Sequence, residues 1–203
     1  MKLYYFETPN GRLPCSVAKH INAPIEYVHT NIVKSQAVSE EFKKLTPVAK
    51  VPVLADGERV IWESKAIAAY IAEKCESDLF PKDERLNDII RWFVWDSEHF
   101  SNYAAVLYYE HIIRPVFGKS ARDFLVEHSN KQFMHNAQVL DQVLSTQQWI
   151  VADQLSIVDF ALSRGLIGTE LAQIPYHGFK NIVRWLNDLN QLPAVQNPWP
   201  SKA

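Results

Sequence analysis

A chain of 203 residues, 47% hydrophobic and 22% charged, is long enough for one large or two small domains with their own cores. A formal net charge of −2 gives no electrostatic footprint for nucleic acid or an acidic membrane surface. Two cysteines make no disulfide framework and the seven histidines show no metal-ligand spacing, so a reducing compartment and a metal-free chain are expected.

The first seven residues lack the apolar region of a signal peptide. The longest apolar run, residues 66–72, is far short of the ~20 residues of a membrane span, so a cytoplasmic location is expected. Residues 2–6 read as a buried strand, and Thr8-Pro9-Asn10-Gly11 as a turn cluster. A helix follows with Val17, Ala18 and Ile21 on one face. Proline is accepted in a first turn and disfavoured deeper, so Pro14 places the helix start near Leu13. Cys15 would then lie in the first turn, where the helix dipole depresses a thiol pKa; the alternative is a small hydrophobe packed on the sheet. Ala23-Pro24 ends this helix, residues 25–32 alternate as a second strand, and residues 40–45 form a short helix closed by Thr46-Pro47.

Val53-Leu54 begins a third strand, Asp56-Gly57 is a hairpin turn, and residues 59–62 return. Ser64 is the expected N-cap of a helix carrying Ala66, Ile67, Tyr70 and Ile71 at helical spacing. A Val51–Pro52 bond at the head of a strand can be cis, which turns the Val51 N–H and C=O outward as pairing groups. Glu63-Ser64 stands where strand becomes helix. Helix N-terminal N–H groups attract a carboxylate, and Glu63 can hold an ammonium beside it. Such a site takes an amino-acid-like head group.

Residues 77–85, with Phe80-Pro81, read as a linker, after which strand patterns disappear. Residues 84–116 and 121–144 are long amphipathic segments. Ser156 and Asp159 form a capping box, with Leu155 and Phe160 as its hydrophobic staple. Residues 179–191 make a last helix, and the tail from Pro193 is proline-rich and irregular.

Val51-Pro52 and Glu63-Ser64, in this order and spacing, resemble the glutathione-binding half of the glutathione transferase superfamily, and the Ser156–Asp159 stretch resembles a signature of its helical domain. The resemblance implies an α/β thioredoxin-like domain over residues 1–76, a linker over 77–85 and an all-α domain over 86–203. It implies that Val51 pairs with the cysteinyl backbone of glutathione and that Glu63-Ser64 holds its γ-glutamyl end. Lys50 and Lys34 are candidates for the glycyl carboxylate. Phe100, Tyr103, Tyr108 and Tyr109 are candidates for an apolar co-substrate surface, the same spacing fitting core or dimer interface equally well. Ala37 and Val38 stand where plant-type relatives carry a basic pair.

A glutathione-type thiol has a pKa near ~8.5, and lowering it by ~2 units takes roughly 2.7 kcal/mol. One or two hydrogen-bond donors at about 1.5–3 kcal/mol each supply that. Thr8-Pro9-Asn10-Gly11 resembles the loop of bacterial nu-class enzymes, whose members favour disulfide-bond reductase chemistry. On that resemblance the Thr8 hydroxyl and the Asn10 amide are the donors. Cys15-Ser16 resembles the start of helix one in beta-class enzymes, where the cysteine forms a mixed disulfide with glutathione. Both stand open at this point. The implied activity is attack of glutathione, as co-substrate, on a small-molecule electrophile or a disulfide, in a homodimer without metal. The alternative is a non-catalytic binding or regulatory member.

Overall fold

The computed structural model describes residues 1–32 and 39–200. Lys34, Ala37 and Val38 lie outside the described residues. Two compact units emerge: Met1–Pro81 together with the chain from Leu192 onward, and Lys82–Gln191.

In the first unit, β1 (Lys2–Tyr5), α1 (Pro9–His20), β2 (Glu26–His29), α2 (Glu40–Leu45), β3 (Val53–Asp56), β4 (Arg59–Trp62) and α3 (Ser64–Lys74) build a four-stranded mixed sheet of order β2-β1-β3-β4. β1 runs parallel to β2 and antiparallel to β3. This is the expected thioredoxin-like plan. Side chains alternate across a strand, so Leu3 and Tyr5 face one side of β1 and Tyr4 the other. Leu3, Tyr5 and Leu54 pack with Cys15, Ala18, Ile67 and Ile71 of α1 and α3, whereas Tyr4 joins Phe42 and Val53 in a second cluster.

Two helix starts differ from the sequence reading. α1 begins at Pro9, not near Leu13, because Thr8 is a competent N-cap and its Oγ1 accepts from the Gly11 N–H at 3.2 Å. Pro9 then takes the first helical position, where its missing N–H costs nothing, and Pro14 is carried inside the helix. In α3 the N-cap position belongs to Glu63, and Ser64 is the first helical residue.

In the second unit, α4 (Arg85–Trp95), α5 (Ser101–Tyr108) and α6 (Arg114–Val116) are joined by π-helical segments at Asp96–Phe100 and Tyr109–Ile113. Each π segment carries a fully buried acid met by arginine. Asp96 accepts from Arg164 at 2.9 Å. Glu110 accepts from the Arg122 side chain and main chain, and these bonds hold its carboxyl below the usual range. Then come α7 (Asp123–Leu144), α8 (Ile157–Ser163) and α9 (Lys180–Leu189). The capping box forms: Asp159 accepts from the Ser156 N–H at 2.9 Å, and also from Ile150 N–H at 3.1 Å and Trp185 Nε1–H at 2.9 Å. Asp141 of α7 caps α9 from outside, its Oδ1 accepting from the Asn181 and Ile182 N–H groups.

The tail differs from the irregular segment expected. Pro193–Gln196 forms a short helix, α10, whose Ala194 and Val195 are buried. It belongs to the first unit rather than to the helical one, because its apolar residues and its carbonyls find partners on α1 and β1. No helix among the described residues is long and apolar enough to cross a membrane.

Candidate functional site

Strand polarity brings three separated motifs to one edge of the sheet. Tyr4 pairs with Val53 and Val53 with Trp62, giving a last shared rung across β1, β3 and β4. Just past it, β1 runs out toward Thr8, β3 has been entered from Val51-Pro52, and β4 runs out into Glu63-Ser64. This is the edge from which α1 and α3 both start, so two helix N-termini face it.

At the β1–α1 junction the chain turns tightly. The Phe6 carbonyl accepts from the Thr8 N–H at 2.7 Å and lies only 3.5 Å from Thr8 Oγ1. A Cβ on Gly11 would stand 2.2 Å from that carbonyl oxygen, so only glycine lets α1 start so close to β1. Gly11→Ala is therefore expected to cost about 1–3 kcal/mol through forced displacement of the junction, read as a lower urea midpoint with unchanged slope. Asn10 is exposed on this first turn.

Cys15 is the seventh residue of α1, about one turn deeper than the expected first-turn position, and is 0% exposed. Burial, helped by the charge of Glu7, pushes its thiol up to about 12. Tyr5 is likewise raised by burial, stacked on Trp199 with ring centroids 6.1 Å apart.

The Val51–Pro52 bond is cis. Val51 packs its side chain against Phe42 and Val53, while among the described residues its N–H and C=O join no strand ladder. Lys50 beside it is exposed. Glu63 has φ 72° and ψ 120°, a conformation that L-residues other than glycine rarely adopt. Its carboxylate is exposed and makes no side-chain cap bond, and the Ser64 side chain is buried in the first turn of α3. The first main-chain hydrogen bond into this helix is Ile67 N–H to Glu63 O, so among the described residues the N–H groups of Ser64 and Ala66 have no helical acceptor. The edge thus offers an acceptor carboxylate, N–H donors at a positive dipole end, and between them a main-chain pair that joins no strand ladder among the described residues.

Of the residues expected at a site, Thr8, Asn10, Val51, Pro52, Glu63 and Ser64 come to this edge, with Lys50 next to it. Cys15 does not. Phe100 is core, packed between Trp95 and Phe133; Tyr103 and Tyr108 are half-buried and Tyr109 is 46% exposed. Gly11 was missed as a determinant, although its place in the Thr8–Gly11 run was a usable signal.

Comparison with known proteins finds two family models on the chain: the glutathione S-transferase N-terminal domain over residues 1–73 and the C-terminal domain over residues 103–193. A glutathione S-transferase domain-containing protein of Dictyostelium discoideum is 30% identical over 182 residues, covering 83% of this chain and 67% of the relative. Glutathione transferase F7 from Populus trichocarpa superposes with a TM-score of 0.88 at 19% identity, covering 97% and 96% of the two chains. Ure2p in complex with glutathione superposes at 0.84 with 20% identity, covering 97% and 92%. At these identities the structural likenesses speak for the fold: a thioredoxin-like domain with a four-stranded mixed sheet, followed by a helical domain.

Proposed function

The chain belongs to the glutathione S-transferase family, and from that premise we propose that it binds glutathione along the sheet edge described above and uses it as a nucleophilic thiolate. The convergence of Thr8, Val51 and Glu63-Ser64 on one edge carries this reading. Glu63 takes the α-ammonium of the γ-glutamyl group, and Ser64 with the α3 N–H groups takes its carboxylate. The Val51 main chain pairs with the cysteinyl residue, and Lys50 serves the glycyl carboxylate. A solved complex of Ure2p with glutathione shares this fold, which supports the assignment.

Thr8 and Asn10 supply the thiolate donors. Thr8 Oγ1 accepts from the Gly11 N–H through a lone pair, while among the described residues its own proton has the long 3.5 Å contact to Phe6 O. That proton can turn to a sulfur without breaking the cap. The thiolate then attacks carbon, expelling a leaving group, or attacks a disulfide sulfur, forming a mixed disulfide and releasing the other sulfur as thiolate. A protein-cysteine mechanism is disfavoured by the burial and raised pKa of Cys15. The resemblance of the Thr8–Gly11 run to nu-class loops favours disulfides as the second substrate. A two-fold dimer and a cytoplasmic setting accompany this reading by family analogy.

Asn10→Ala is expected to lower kcat by about tenfold or more, the scale of one hydrogen bond to a charged group, while Cys15→Ala keeps kcat. Faster turnover of hydroxyethyl disulfide than of a chloronitroaromatic is the expected ranking. Equal losses in the two variants, or glutathione found covalently bound to Cys15 by mass spectrometry, would reverse the assignment. Absence of glutathione binding at millimolar concentration would leave the non-catalytic alternative.

A further inference from the structure

The segment that follows α9 returns to the first unit and grips the β1–α1 junction from two sides. On the α1 side, Arg12 Nη1 donates to the Val195 carbonyl at 2.6 Å, and Lys19 Nζ donates to the Asn197 carbonyl at 2.6 Å. Arg12 and Lys19 are seven residues apart and so share one face of the helix. The carbonyls they reach lie at and just past the end of α10, where a helix has no main-chain donors left to offer. On the β1 side, Trp199 stacks on Tyr5 with an interplanar angle of 17° and joins the cluster of Leu3, Cys15 and Ala18. Ala194 and Val195 are 4% and 3% exposed between these anchors.

Tyr5 is the last residue of β1 and Arg12 belongs to the first turns of α1. Thr8, Asn10 and Gly11 lie between them. The tail therefore ties together the two ends of the turn that carries the donors.

We propose that this C-terminal strap is part of the thiol-activating apparatus, with Arg12 and Trp199 as positioning residues that fix the first turn of α1. The inference rests on the glutathione reading for its catalytic half only. The γ-glutamyl and main-chain groups of glutathione are held by α3 and Val51 and only its sulfur meets the first turn of α1, so loosening the strap misplaces the thiolate donors while leaving most of the grip. A charge-assisted hydrogen bond and an aromatic stack are each strong enough to restrain one helical turn. A structural role alone would lower stability without separating kcat from KM.

The test uses the full chain with Arg12→Met, Arg12→Lys and Trp199→Ala. Amide hydrogen exchange at Gly11 and Arg12, whose N–H groups bond to Thr8 Oγ1 and Thr8 O, is compared with exchange at Ile67 and Ile71 of α3. In Arg12→Met and Trp199→Ala, exchange at Gly11 and Arg12 is expected to quicken by about tenfold while α3 is unmoved, and kcat to fall by about tenfold with KM for glutathione within about twofold. Arg12→Lys, which keeps a cationic donor, restores most of kcat. Unchanged exchange at Gly11 and Arg12 in both variants overturns the strap, and that readout needs no glutathione. Faster exchange with unchanged kcat, or a KM that rises with the loss of kcat, overturns its catalytic role. A wild-type chain that turns over no glutathione defeats the functional reading itself, and the positioning role falls with it.

Discussion

Asp159→Ala is expected to lose about 4 kcal/mol or more of stability, a large share of the ~5–15 kcal/mol of an ordinary domain. The capping box alone predicts about 1 kcal/mol. The structure raises the figure, because Asp159 also accepts from Ile150 N–H and Trp185 Nε1–H, and Trp185 is fully buried. Alanine strands these donors away from water together with the Ser156 N–H, and each buried unpaired group costs about 1–3 kcal/mol. Urea unfolding at pH 7 checks this; a loss of only about 1 kcal/mol would mean that the cap alone matters. The same residue carries a pH signature. Burial pushes its carboxyl up to about 6, against the pull of the Ser156, Trp185 and Ile150 donors. A folded pKa above the ~3.9 of the unfolded chain gives stability that is full below about pH 4 and is lost by about pH 6, on the order of 3 kcal/mol. The stability gap between wild type and Asp159→Asn should therefore shrink as pH rises from about 4 to about 6.

Glu63→Gly is expected to separate stability from binding. A non-glycine residue held at φ 72° and ψ 120° stores about 1–3 kcal/mol, and glycine adopts that backbone freely at an entropic cost of about 0.5–1 kcal/mol. The variant should thus unfold later, by about 1 kcal/mol. It also removes the carboxylate proposed to hold the γ-glutamyl ammonium. Because Glu63 is exposed, that ion pair is partly screened, and about a tenfold loss of glutathione affinity is the appropriate scale. Thermal unfolding and calorimetric titration read the two effects. A variant that is less stable, or that binds as well as wild type, would remove the reason for tolerating strain at this junction.

The parts of the molecule written in local pattern were legible in advance. Alternation placed the strands, and the spacing of Ser156 and Asp159 announced the capping box. Val51-Pro52 and Glu63-Ser64 marked one edge of the sheet because strand polarity leaves few places for them to go. The errors arose where two local signals competed. Pro14 argued for a late start to α1, but Thr8 and Pro9 together make a better N-terminus, and that shift carries Cys15 from the first turn into the core. Ser64 has the right chemistry for an N-cap, yet Glu63 occupies the position because its backbone is already non-helical.

Other features had no local signal at all. Asp141 caps α9 across forty residues of chain. Arg12 and Val195 are separated by 183 positions. The π segments have no sequence periodicity of their own; what marks them is the burial of Asp96 and Glu110 against arginines from other elements.

The central claim is that the mouth of α3, the Val51 backbone and the first turn of α1 act as one binding edge for glutathione. A heteronuclear NMR titration with glutathione tests it most directly, since each amide reports separately. The account predicts that the amides of Val51, Ser64, Lys65 and Gly11 shift together along one saturable curve while those of α9 stay still. An absence of shifts at millimolar glutathione, or shifts centred anywhere away from that edge, would contradict it.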